Sequence, residues 1–323
     1  MTMPLISVIM PAYNVQDFVV ESCKSVFLQT YPNWELVVID DGSTDHTLEI
    51  LNKLAKSNDN MTVIHTENRG VSAARNAGLN IAKGSYISFL DADDQLTSRA
   101  LEILYNRLQE TESQIAIGDA GNFEVWEGMQ ALIYSLENHL SCHSACGKLY
   151  KADLVQDIRF VEERKINEDI FFIFQCFLQQ PKVATTTANV YSVRKRFGSA
   201  SRSDFSEKYL DILFFAEKRK RIIEEQYPVL AYLTEDLLVK AHITLLRVLC
   251  RTYDPQWREQ EKKSLSMIQQ KRHTYQTKNE SDKRFLWIIS HGLFPLYKIR
   301  VYCKRRMKAI WYTLRKYEHK KTN

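Results

Sequence analysis

Three clusters of acidic residues could do chemistry in this chain. They span residues 40–45 (DDGSTD), residues 91–94 (DADD) and residues 167–169 (NED). A carboxylate can accept hydrogen bonds from a ligand, bind a divalent cation or take a proton from a reacting hydroxyl. Which of these tasks each cluster performs depends on its spacing and on the elements that position it.

The first cluster combines turn-forming residues with two adjacent carboxylates. Asp, Ser and Thr cap helix N-termini, so a turn followed by a helix accounts for Ser43 to Asp45 without any further function. The preceding aspartates leave one carboxylate for a ligand at the sheet edge. Because an ionised carboxylate only accepts hydrogen bonds, it would select a base with an N3–H group, as uracil has and cytosine lacks.

The second cluster directly follows the apolar segment 86–90. In an extended chain, residues two apart point the same way, so Asp91 and Asp93 would share a face. Converging carboxylates repel each other unless a cation lies between them, and hard oxygen ligands favour Mg²⁺ or Mn²⁺, which also bridge substrate phosphates. A short acidic motif is common by chance, and its place after a buried strand is what favours a metal site.

The third cluster opens a predicted helix over residues 168–179. Asn167 as the cap and two acids in the first turn would stabilise the positive end of that helix, which is a purely structural explanation. The alternative is that one of the two carboxylates is a general base. The residues alone leave both explanations open.

Residues 68–78 (NRGVSAARNAG), between the first two clusters, are rich in small side chains. Close packing of a helix explains the alanines and Gly78. Arg75 is different, because a guanidinium on such a helix is well placed to neutralise a diphosphate.

The elements that must position these residues alternate along the first 120 residues. The apolar pattern predicts strands at 5–10, 35–39, 61–65, 86–90 and 114–118, and helices at 15–29, 47–56, 71–81 and 98–111. This alternation predicts an α/β fold with a mainly parallel, Rossmann-like sheet and helices on both faces, in which ligands bind at the carboxyl ends of the strands. Further helices are predicted near 127–140 and 168–179, and the chain from residue 205 onward reads as helical, with interruptions near Pro228, Pro255 and Pro295.

Charge divides the chain at about residue 204. Residues 205–323 hold 26 Lys and Arg against 13 Asp and Glu, whereas residues 1–204 hold 18 against 26. An acidic region suits a metal ion, and a basic region suits phosphate, nucleic acid or an anionic membrane. We therefore predict one domain at 1–204, with a nucleotide-binding part at 1–120 and an acceptor part at 121–204, followed by a basic helical region at 205–323.

Composition and the length of the apolar runs exclude a disordered, a fibrous or an integral membrane protein. The chain has 323 residues, of which 45% are hydrophobic and 26% charged, and no apolar run approaches the about 20 residues that span a bilayer. The apolar stretch near the N-terminus lacks the basic flank of a signal peptide. Six scattered cysteines without a CxxC pair favour reduced thiols in the cytosol, and Cys142 and Cys146 with His139 and His143 form only a weak metal pattern.

Four ordered motifs resemble those of the family 2 glycosyltransferases, which have the GT-A fold, here of the inverting type that makes bacterial surface polysaccharides. They are residues 8–14 (VIMPAYN), 35–45 (ELVVIDDGSTD), 68–78 and 89–94 (FLDADD). The resemblance covers roughly residues 4–200, strongly to residue 118 and more thinly after it. It implies a nucleotide-sugar donor, most often a UDP-sugar, and a divalent cation, Mn²⁺ or Mg²⁺.

The resemblance implies roles on the donor side, residue by residue. Pro11 and Tyr13 would line the base pocket, and Asp41 would accept the uracil N3–H. Asn68 and Arg75 would face the donor.

It also implies the reacting groups. Asp91 would contact the ribose or donor, and Asp93 would bind the metal with Asp91 beside it. Asp169 would be the inverting general base, and Glu168 its supporter or alternate.

Two weaker matches complete the resemblance. Residues 147–150 (GKLY) are similar to the family's short segment before the acidic pair. Arg194 and Ser199 lie in residues 194–201 (RKRFGSAS), a stretch similar to the family's mobile loop over the diphosphate. An ordinary exposed basic stretch is the alternative explanation for each.

The end of the chain is basic and amphipathic. Residues 298–323 hold ten Lys and Arg and one acid. Apolar residues recur there at helical spacing, at Ile299, Cys303, Met307, Ile310, Leu314 and Tyr317. Such a helix suits an anionic membrane surface, and packing on the protein's own core is the alternative. No motif indicates nucleic-acid binding.

These observations lead us to expect an enzyme that moves a hexose or N-acetylhexosamine from a UDP-sugar to a hydroxyl of a saccharide acceptor. The acceptor would be lipid-linked, with a protein as the alternative, and the enzyme would work in the cytosol at the inner face of the membrane. A nucleotidyltransferase would need a Gly-rich loop after the first strand, where this chain has PAYN at residues 11–14. A non-catalytic binding module on a degenerate fold would have lost the acidic clusters, and all three are present.

Overall fold

A computed structural model provides the fold, and it describes residues 3–137, 142–194, 205–252, 254–272, 275, 277, 279–304 and 306–307. The chain divides into two compact units, residues 1–197 and 198–323. The domain boundary predicted at residue 204 lies outside the described residues.

The described residues of the first unit form ten strands. They are β1 (Ile6–Ala12), β2 (Trp34–Asp41), β3 (Met61–Thr66), β4 (Tyr86–Phe89), β5 (Gln95–Leu96), β6 (Ile115–Ile117), β7 (Val125–Trp126), β8 (Lys148–Lys151), β9 (Val183–Thr185) and β10 (Tyr191–Ser192). Eight of them form one sheet in the order β3-β2-β1-β4-β8-β6-β9-β7, and β5 pairs with β10. Strands β1 to β4 run parallel, whereas β8 is antiparallel to both of its neighbours. The predicted parallel sheet is confirmed, with antiparallel strands added in its second half.

Among the residues that the structure describes in this unit, seven α-helices accompany the sheet. They are α1 (Val19–Phe27), α2 (Thr47–Ala55), α3 (Val71–Ile81), α4 (Ala100–Thr111), α5 (Met129–Leu136), α6 (Ala152–Val155) and α7 (Glu168–Leu178). Helix α1 begins later than residue 15, where the apolar pattern placed its start. The N–H groups of Val15 and Gln16 instead donate to the side chains of Thr47 and Asp45, at 2.8 and 3.3 Å. The loop after β1 is therefore joined to the turn after β2.

Apolar side chains cover both faces of the parallel strands. Along β2, Leu36 and Val38 belong to the large cluster that includes the buried face of α1. Val37 and Ile39 point to the other face and pack with Ala74 of α3. This alternation explains why the strand is apolar throughout, and it confirms helices on both faces of the sheet.

Helix α3 lies directly on β1 at Gly78. A Cβ atom at this position would come within 2.3 Å of Cγ2 of Ile9, so a glycine is needed for so close an approach. The small residues of this helix therefore pack as the sequence predicts. Their packing fixes the position of Arg75, one turn earlier.

The second unit is helical. Its helices are α8 (Asp211–Gln226), α9 (Ala231–Leu249), α10 (Arg258–Lys271) and α11 (Glu280–Ser290), followed by a helical stretch over residues 294–304. Pro228 and Pro255 begin short 3-10 turns ahead of α9 and α10, and Pro295 lies in the first turn of the last helix. All three prolines thus mark helix starts, where a missing N–H costs little. Within the described parts of the chain, no helix is both long and apolar enough to cross a membrane.

Candidate active site

The carboxyl ends of β1 and β2 place the donor-side residues next to each other. The two strands pair in parallel up to Ala12 and Asp40, so Tyr13 and Asp41 follow at the same edge of the sheet. Tyr13 is 48% exposed, which is unusual for a large aromatic side chain placed directly after a buried strand. Its ring is available to a planar ligand such as a nucleobase.

Pro11 lies inside β1, where a proline would normally break a ladder of hydrogen bonds. The carbonyl of Ile9 accepts from Leu90 N at 3.0 Å, so the backbone polar groups of Ile9 point toward β4. Because these groups alternate along a strand, the backbone nitrogen of Pro11, two residues later, also points toward β4. Strand β4 pairs with β1 only as far as Ile9 and Phe89, so the ladder between the two strands ends before Pro11, which has no N–H to extend it. Pro11 therefore lies where β1 extends beyond the end of β4 and reaches the site.

Asp41 is buried and bonded to the backbone. Its Oδ1 accepts from Arg69 N and its Oδ2 from Gly70 N, both at 2.8 Å. Asp41 thereby holds the start of α3 beside β2, with Asn68 exposed next to it. Since each carboxylate oxygen has two lone pairs, these bonds leave acceptor capacity for a ligand.

The neighbouring Asp40 does not share this role. It is fully buried, and its Oδ2 lies 2.7 Å from Nδ1 of His65 and accepts from Ser43 N at 3.3 Å. Of the two adjacent carboxylates, Asp41 is the one that lies beside Asn68 and the start of α3.

The second acidic cluster forms a turn, so the expectation of an extended chain there is wrong. Asp94 N donates to Asp91 O at 3.0 Å, which closes a turn over the residues between them. The alternation of a strand therefore does not decide where the side chains point. Asp91 and Asp93 are half-buried, whereas Asp94 is buried.

Tyr191 of β10 connects the members of this cluster. Its hydroxyl accepts from Asp91 N at 3.2 Å and donates to Oδ2 of Asp94 at 3.0 Å. Burial raises the pKa of the Asp94 carboxyl, although hydrogen bonds from Arg194 N and Tyr191 oppose that rise. Sequence reasoning missed Tyr191, because it lies a hundred residues downstream in a stretch without a motif.

Arg194 lies against the same turn. Its backbone N–H donates to Asp94 Oδ1 at 2.8 Å and its Nε to the carbonyl of Asp93 at 3.3 Å, while its guanidinium pairs with Glu21. The structure therefore places Arg194 at the predicted site. Ser199, the other predicted residue of this stretch, lies outside the described residues.

Arg75 joins the second and third acidic clusters. Its Nη2 lies 2.9 Å from Asp91 Oδ1, and its Nη1 lies 2.6 Å from Asp169 Oδ1 and 3.3 Å from Glu168 Oε1. The residue is only 3% exposed, and its Nε has no hydrogen-bond partner. Arg75 therefore holds three carboxylates together, and the predicted contact between its guanidinium and a diphosphate stays a prediction. We call Arg75, Asp91, Glu168 and Asp169 the Arg75 cluster.

The first turn of α7 differs from the capped helix start that would explain its acidic residues by structure alone. Asn167 adopts a left-handed backbone conformation with φ 67°, and its side chain makes no capping hydrogen bond, so the expected cap is absent. The carboxylates of Glu168 and Asp169 point instead at Arg75. Their role is tied to the cluster more than to the helix end.

Burial shifts the protonation of this acidic pair toward neutral pH. Removal from water, with the charge of Asp169 beside it, raises the pKa of Glu168 to about 7. Burial likewise raises the pKa of Asp169, although Arg75 opposes the rise. A carboxylate that ionises near the working pH is suited to general base catalysis.

Two pairs of residues support the Arg75 cluster, one pair on each side of it. Asn76 accepts from Phe160 N at 2.9 Å and donates to Phe160 O at 2.9 Å, and the ring of Phe160 lies 5.2 Å from the Arg75 guanidinium carbon. On the other side, Ser144 Oγ lies 3.5 Å from Asp169 Oδ2, and the buried Lys148 donates to Ser144 O at 2.5 Å. Lys148 lies in the GKLY segment that resembles the family.

A divalent cation fits this site only if the donor supplies ligands as well. Within the described ranges, no three His, Cys, Asp or Glu side chains are grouped as a metal would require, and Cys142 and Cys146 are buried and form no disulfide. Mg²⁺ and Mn²⁺ are commonly bound by one or two carboxylates together with substrate phosphates and water. Asp91 and Asp93 provide oxygen ligands of that kind.

The site thus unites an exposed aromatic ring, a carboxylate at the edge of the sheet and a second group of carboxylates held by a buried arginine. The sheet that carries them has the GT-A fold. Among solved structures, TarS of S. aureus (residues 1–349, in complex with UDP-GlcNAc) has the same fold, with a TM-score of 0.66 over 95% of this chain and 92% of that one at 21% identity. A mannosyltransferase of Pyrobaculum calidifontis, in complex with GDP-Man and Mn²⁺, has a TM-score of 0.52 over 94% and 87% of the two chains at 17% identity.

The sequence comparisons define the family. The profile described as Glycosyl transferase family 2 matches residues 7–134. Glycosyltransferase GlyG of Streptococcus pneumoniae is 30% identical over 62% of this chain and 74% of its own length, and glycosyltransferase GlyA of the same species is 35% identical over 64% and 33%. The poly(ribitol-phosphate) beta-glucosyltransferase of Bacillus spizizenii is 31% identical over 60% of this chain and 33% of its own length. The chain belongs to glycosyltransferase family 2 and is a glycosyltransferase, although its match spans only about a third of GlyA.

Proposed function

We propose that this enzyme transfers a hexose or N-acetylhexosamine from a UDP-sugar to a hydroxyl of a saccharide acceptor, with inversion at the anomeric carbon and with help from a divalent cation. The observation that carries the proposal is the Arg75 cluster. The buried guanidinium of Arg75 lies within hydrogen-bonding distance of Asp91 on the donor side. The same guanidinium also contacts Glu168 and Asp169. Donor binding and proton removal would thus occur side by side.

The donor would bind at the carboxyl ends of β1 and β2. Tyr13 would stack on the base, Asp41 would accept its N3–H, and Asn68 would contact the donor near the start of α3. A UDP-sugar is supported by the solved complex of TarS with UDP-GlcNAc.

The cation would be held by Asp93 and Asp91, with the donor diphosphate completing its coordination. When bound, it would stabilise the negative charge that develops on the leaving diphosphate. Mn²⁺ is supported by the mannosyltransferase complex, and Mg²⁺ has the same preference for oxygen ligands. Arg194 and Ser199 would approach the diphosphate from the segment that follows β10.

Proton transfer would be the task of the acidic pair. A base takes the acceptor proton while the new bond forms, which typically accelerates a reaction about 10²–10⁴-fold. Asp169 would be that base and Glu168 its supporter. Arg75 would keep both carboxylates in place and favour the ionised form of at least one of them.

The acceptor would be a saccharide of a surface polysaccharide, linked to a lipid at the cytosolic face of the membrane. The glucosyltransferase of B. spizizenii, whose name gives poly(ribitol phosphate) as its acceptor polymer, supports a cell-surface polymer as the product.

A panel of UDP- and GDP-sugars, incubated with the protein and Mn²⁺, Mg²⁺ or EDTA, tests the proposal. We expect hydrolysis of one UDP-sugar that stops when EDTA is present. With the matching acceptor, NMR of the product should show the anomeric configuration opposite to that of the donor. Full activity in EDTA, retention of configuration, or synthesis of a nucleotide sugar from UTP and a sugar phosphate would contradict it.

A further inference from the structure

The last helical stretch of the second unit has two apolar faces. One face is turned inward, where Phe294 is buried and its ring lies 6.1 Å from that of Phe285 in α11, and where Tyr297 lies 5.3 Å from the same ring. The other face is turned to solvent: Leu296 is 66% exposed and Ile299 is 52% exposed. Packing within the unit therefore accounts for the first face only.

The exposed face continues in a regular stripe. Leu296, Ile299, Cys303 and Met307 follow each other at steps of three or four residues, which places them along one side of a helix. Cys303 is exposed, and Met307 is 64% exposed. A contiguous apolar stripe on a surface marks a place where a partner or a membrane binds.

The charges within the helical stretch that carries the stripe are all of one sign, although Asp254 and Glu261 of the preceding elements lie near Ile299. Arg300, Lys304 and Arg306 are exposed, and residues 294–307 contain neither Asp nor Glu. Lys298, in contrast, is turned inward and pairs with Glu261 of α10. The cations that remain outside therefore flank the apolar stripe.

We propose that this surface docks the enzyme on an anionic lipid bilayer. The lipid-docking face consists of Leu296, Ile299, Arg300, Cys303, Lys304 and Met307. Apolar side chains would enter the boundary between headgroups and acyl chains, and the cations would meet the lipid phosphates, as in other interfacial helices. The remaining apolar positions of the amphipathic tail, Ile310, Leu314 and Tyr317, lie outside the described residues, and the proposal does not depend on them.

Charge favours lipid over a second copy of the chain. In a symmetric dimer, the same patch of each subunit would meet itself, so Arg300 and Lys304 would lie against their own counterparts. Like charges brought together in this way repel each other. A nucleic acid would use the cations but would leave Leu296 and Ile299 without a partner.

Co-sedimentation of the full chain with vesicles tests the proposal. Vesicles of phosphatidylglycerol and of phosphatidylcholine are compared at low and high NaCl concentration. We expect binding to phosphatidylglycerol at low salt, little binding to phosphatidylcholine, and release as salt screens the attraction.

Two pairs of substitutions separate the contributions to the binding. Arg300→Gln with Lys304→Gln should weaken binding to phosphatidylglycerol about 30-fold, because each cation near an anionic surface accounts for about fivefold. Leu296→Ser with Ile299→Ser should weaken it about tenfold or more, through the loss of apolar contact. Val229→Ser is the matched control, since this apolar side chain of the same unit is equally exposed but lies outside the face. All variants alter exposed side chains, and their thermal midpoints should equal that of the parent.

Several results would overturn the proposal. They are the absence of pelleting at low salt, equal binding to both lipids, or unchanged binding by both double variants. Light scattering that finds a dimer in the parent and a monomer in the Leu296→Ser/Ile299→Ser variant would instead identify a contact between two copies. These results are independent of sugar transfer, so failure of the docking leaves the proposed reaction untouched.

Discussion

The two units of the chain each contain a buried titratable side chain whose surroundings differ sharply, Arg75 in the α/β unit and His242 in the helical unit. In the α/β unit, the buried guanidinium of Arg75 lies against three carboxylates, so opposite charges compensate each other inside the protein. In the helical unit, the buried His242 lies 3.0 Å from the hydroxyl of Ser264, and burial lowers its pKa to about 4. The neighbouring carboxylates keep the guanidinium of Arg75 charged, whereas burial keeps His242 neutral at pH 7.

This difference indicates that the interior of the α/β unit is the one suited to catalysis. Replacing buried ion pairs with apolar side chains is often neutral or even stabilising, so stability alone does not account for the four ionisable groups of the Arg75 cluster. Groups with shifted pKa values, gathered at the carboxyl ends of strands, are typical of active sites. A single neutral histidine bonded to a serine needs no such explanation. The predictions below test this contrast.

The largest effect is expected from Asp93→Ala. Loss of this carboxylate should abolish transfer and make the affinity for UDP independent of Mn²⁺, because the turn after β4 then lacks a metal ligand. Calorimetric titration of UDP with and without Mn²⁺ measures this. Asp59→Ala, an exposed carboxylate before β3 at the opposite end of the strands, is the matched control. Unchanged metal-dependent affinity in Asp93→Ala would exclude the assignment.

Asp169→Asn should slow turnover about 10²–10⁴-fold while the affinity for the donor is retained, because the amide cannot accept the acceptor proton. Steady-state rates with the donor and acceptor identified from the panel provide the measurement. Glu168→Gln should be the milder change. If it is instead the more damaging one, the roles of the two carboxylates are exchanged. If neither variant is slower, the acidic pair serves only to hold Arg75.

Arg75→Met should lower the free energy of unfolding by about 3–5 kcal/mol, since it leaves carboxylates buried without their cation. Arg69→Met is the matched control: this arginine precedes the same helix and pairs with Glu162, but it is largely exposed, so its loss should cost at most about 1 kcal/mol. Urea unfolding at pH 7 measures both. Equal losses would mean that the Arg75 cluster is not effectively buried.

His242→Gln should reduce the fall in the free energy of unfolding that the protein undergoes as the pH is lowered. The pKa of His242 is about 4 in the folded chain and lies near its ordinary value of 6.5 in the unfolded one, so between these values the unfolded state binds the extra proton. Stability due to this residue is therefore complete above pH 6.5 and is lost as the pH falls toward 4, by about 2 kcal/mol at pH 5.

Denaturant unfolding of the parent and of His242→Gln at pH 7 and pH 5 isolates this contribution. Glutamine can still bond to Ser264 but does not titrate in this range. We expect the difference in stability between the two proteins to shrink or reverse at pH 5. A difference that does not change with pH would show that His242 is already charged in the folded state.

Local sequence patterns predicted most of the fold. The apolar runs of β1 to β4 and the periodic helices between them are confirmed, because backbone alternation and helical periodicity act over a few neighbouring residues. The order of the four motifs also identified the family correctly. Errors arose where a side chain from a distant part of the chain replaces a local bond, as at the start of α1, where Thr47 and Asp45 accept from Val15 and Gln16.

The candidate site could be predicted in part. Asp41 and Asp91 lie at strand ends, so the parallel sheet brings them to one edge, as the sequence led us to expect. The extended conformation at Asp91 was predicted wrongly, because extended conformations are only local preferences. Of the two explanations left open for residues 167–169, the helix cap at Asn167 is not observed. Tyr191 could not be found at all, since nothing near it in the chain marks it.

The sequence by itself determined which residue types are present, their order along the chain and the elements that carry them. Arg75 was identified from its small-residue helix, and Glu168 and Asp169 from their place at the start of α7. Only the tertiary structure decided that these groups meet, because Arg75 and Asp169 are 94 positions apart in the chain and 2.6 Å apart in space. Their distance is set by how α3 lies on β1 at Gly78, and by how α7 follows the antiparallel half of the sheet. Electrostatic attraction depends on that distance and on burial, and neither can be read from the order of the residues.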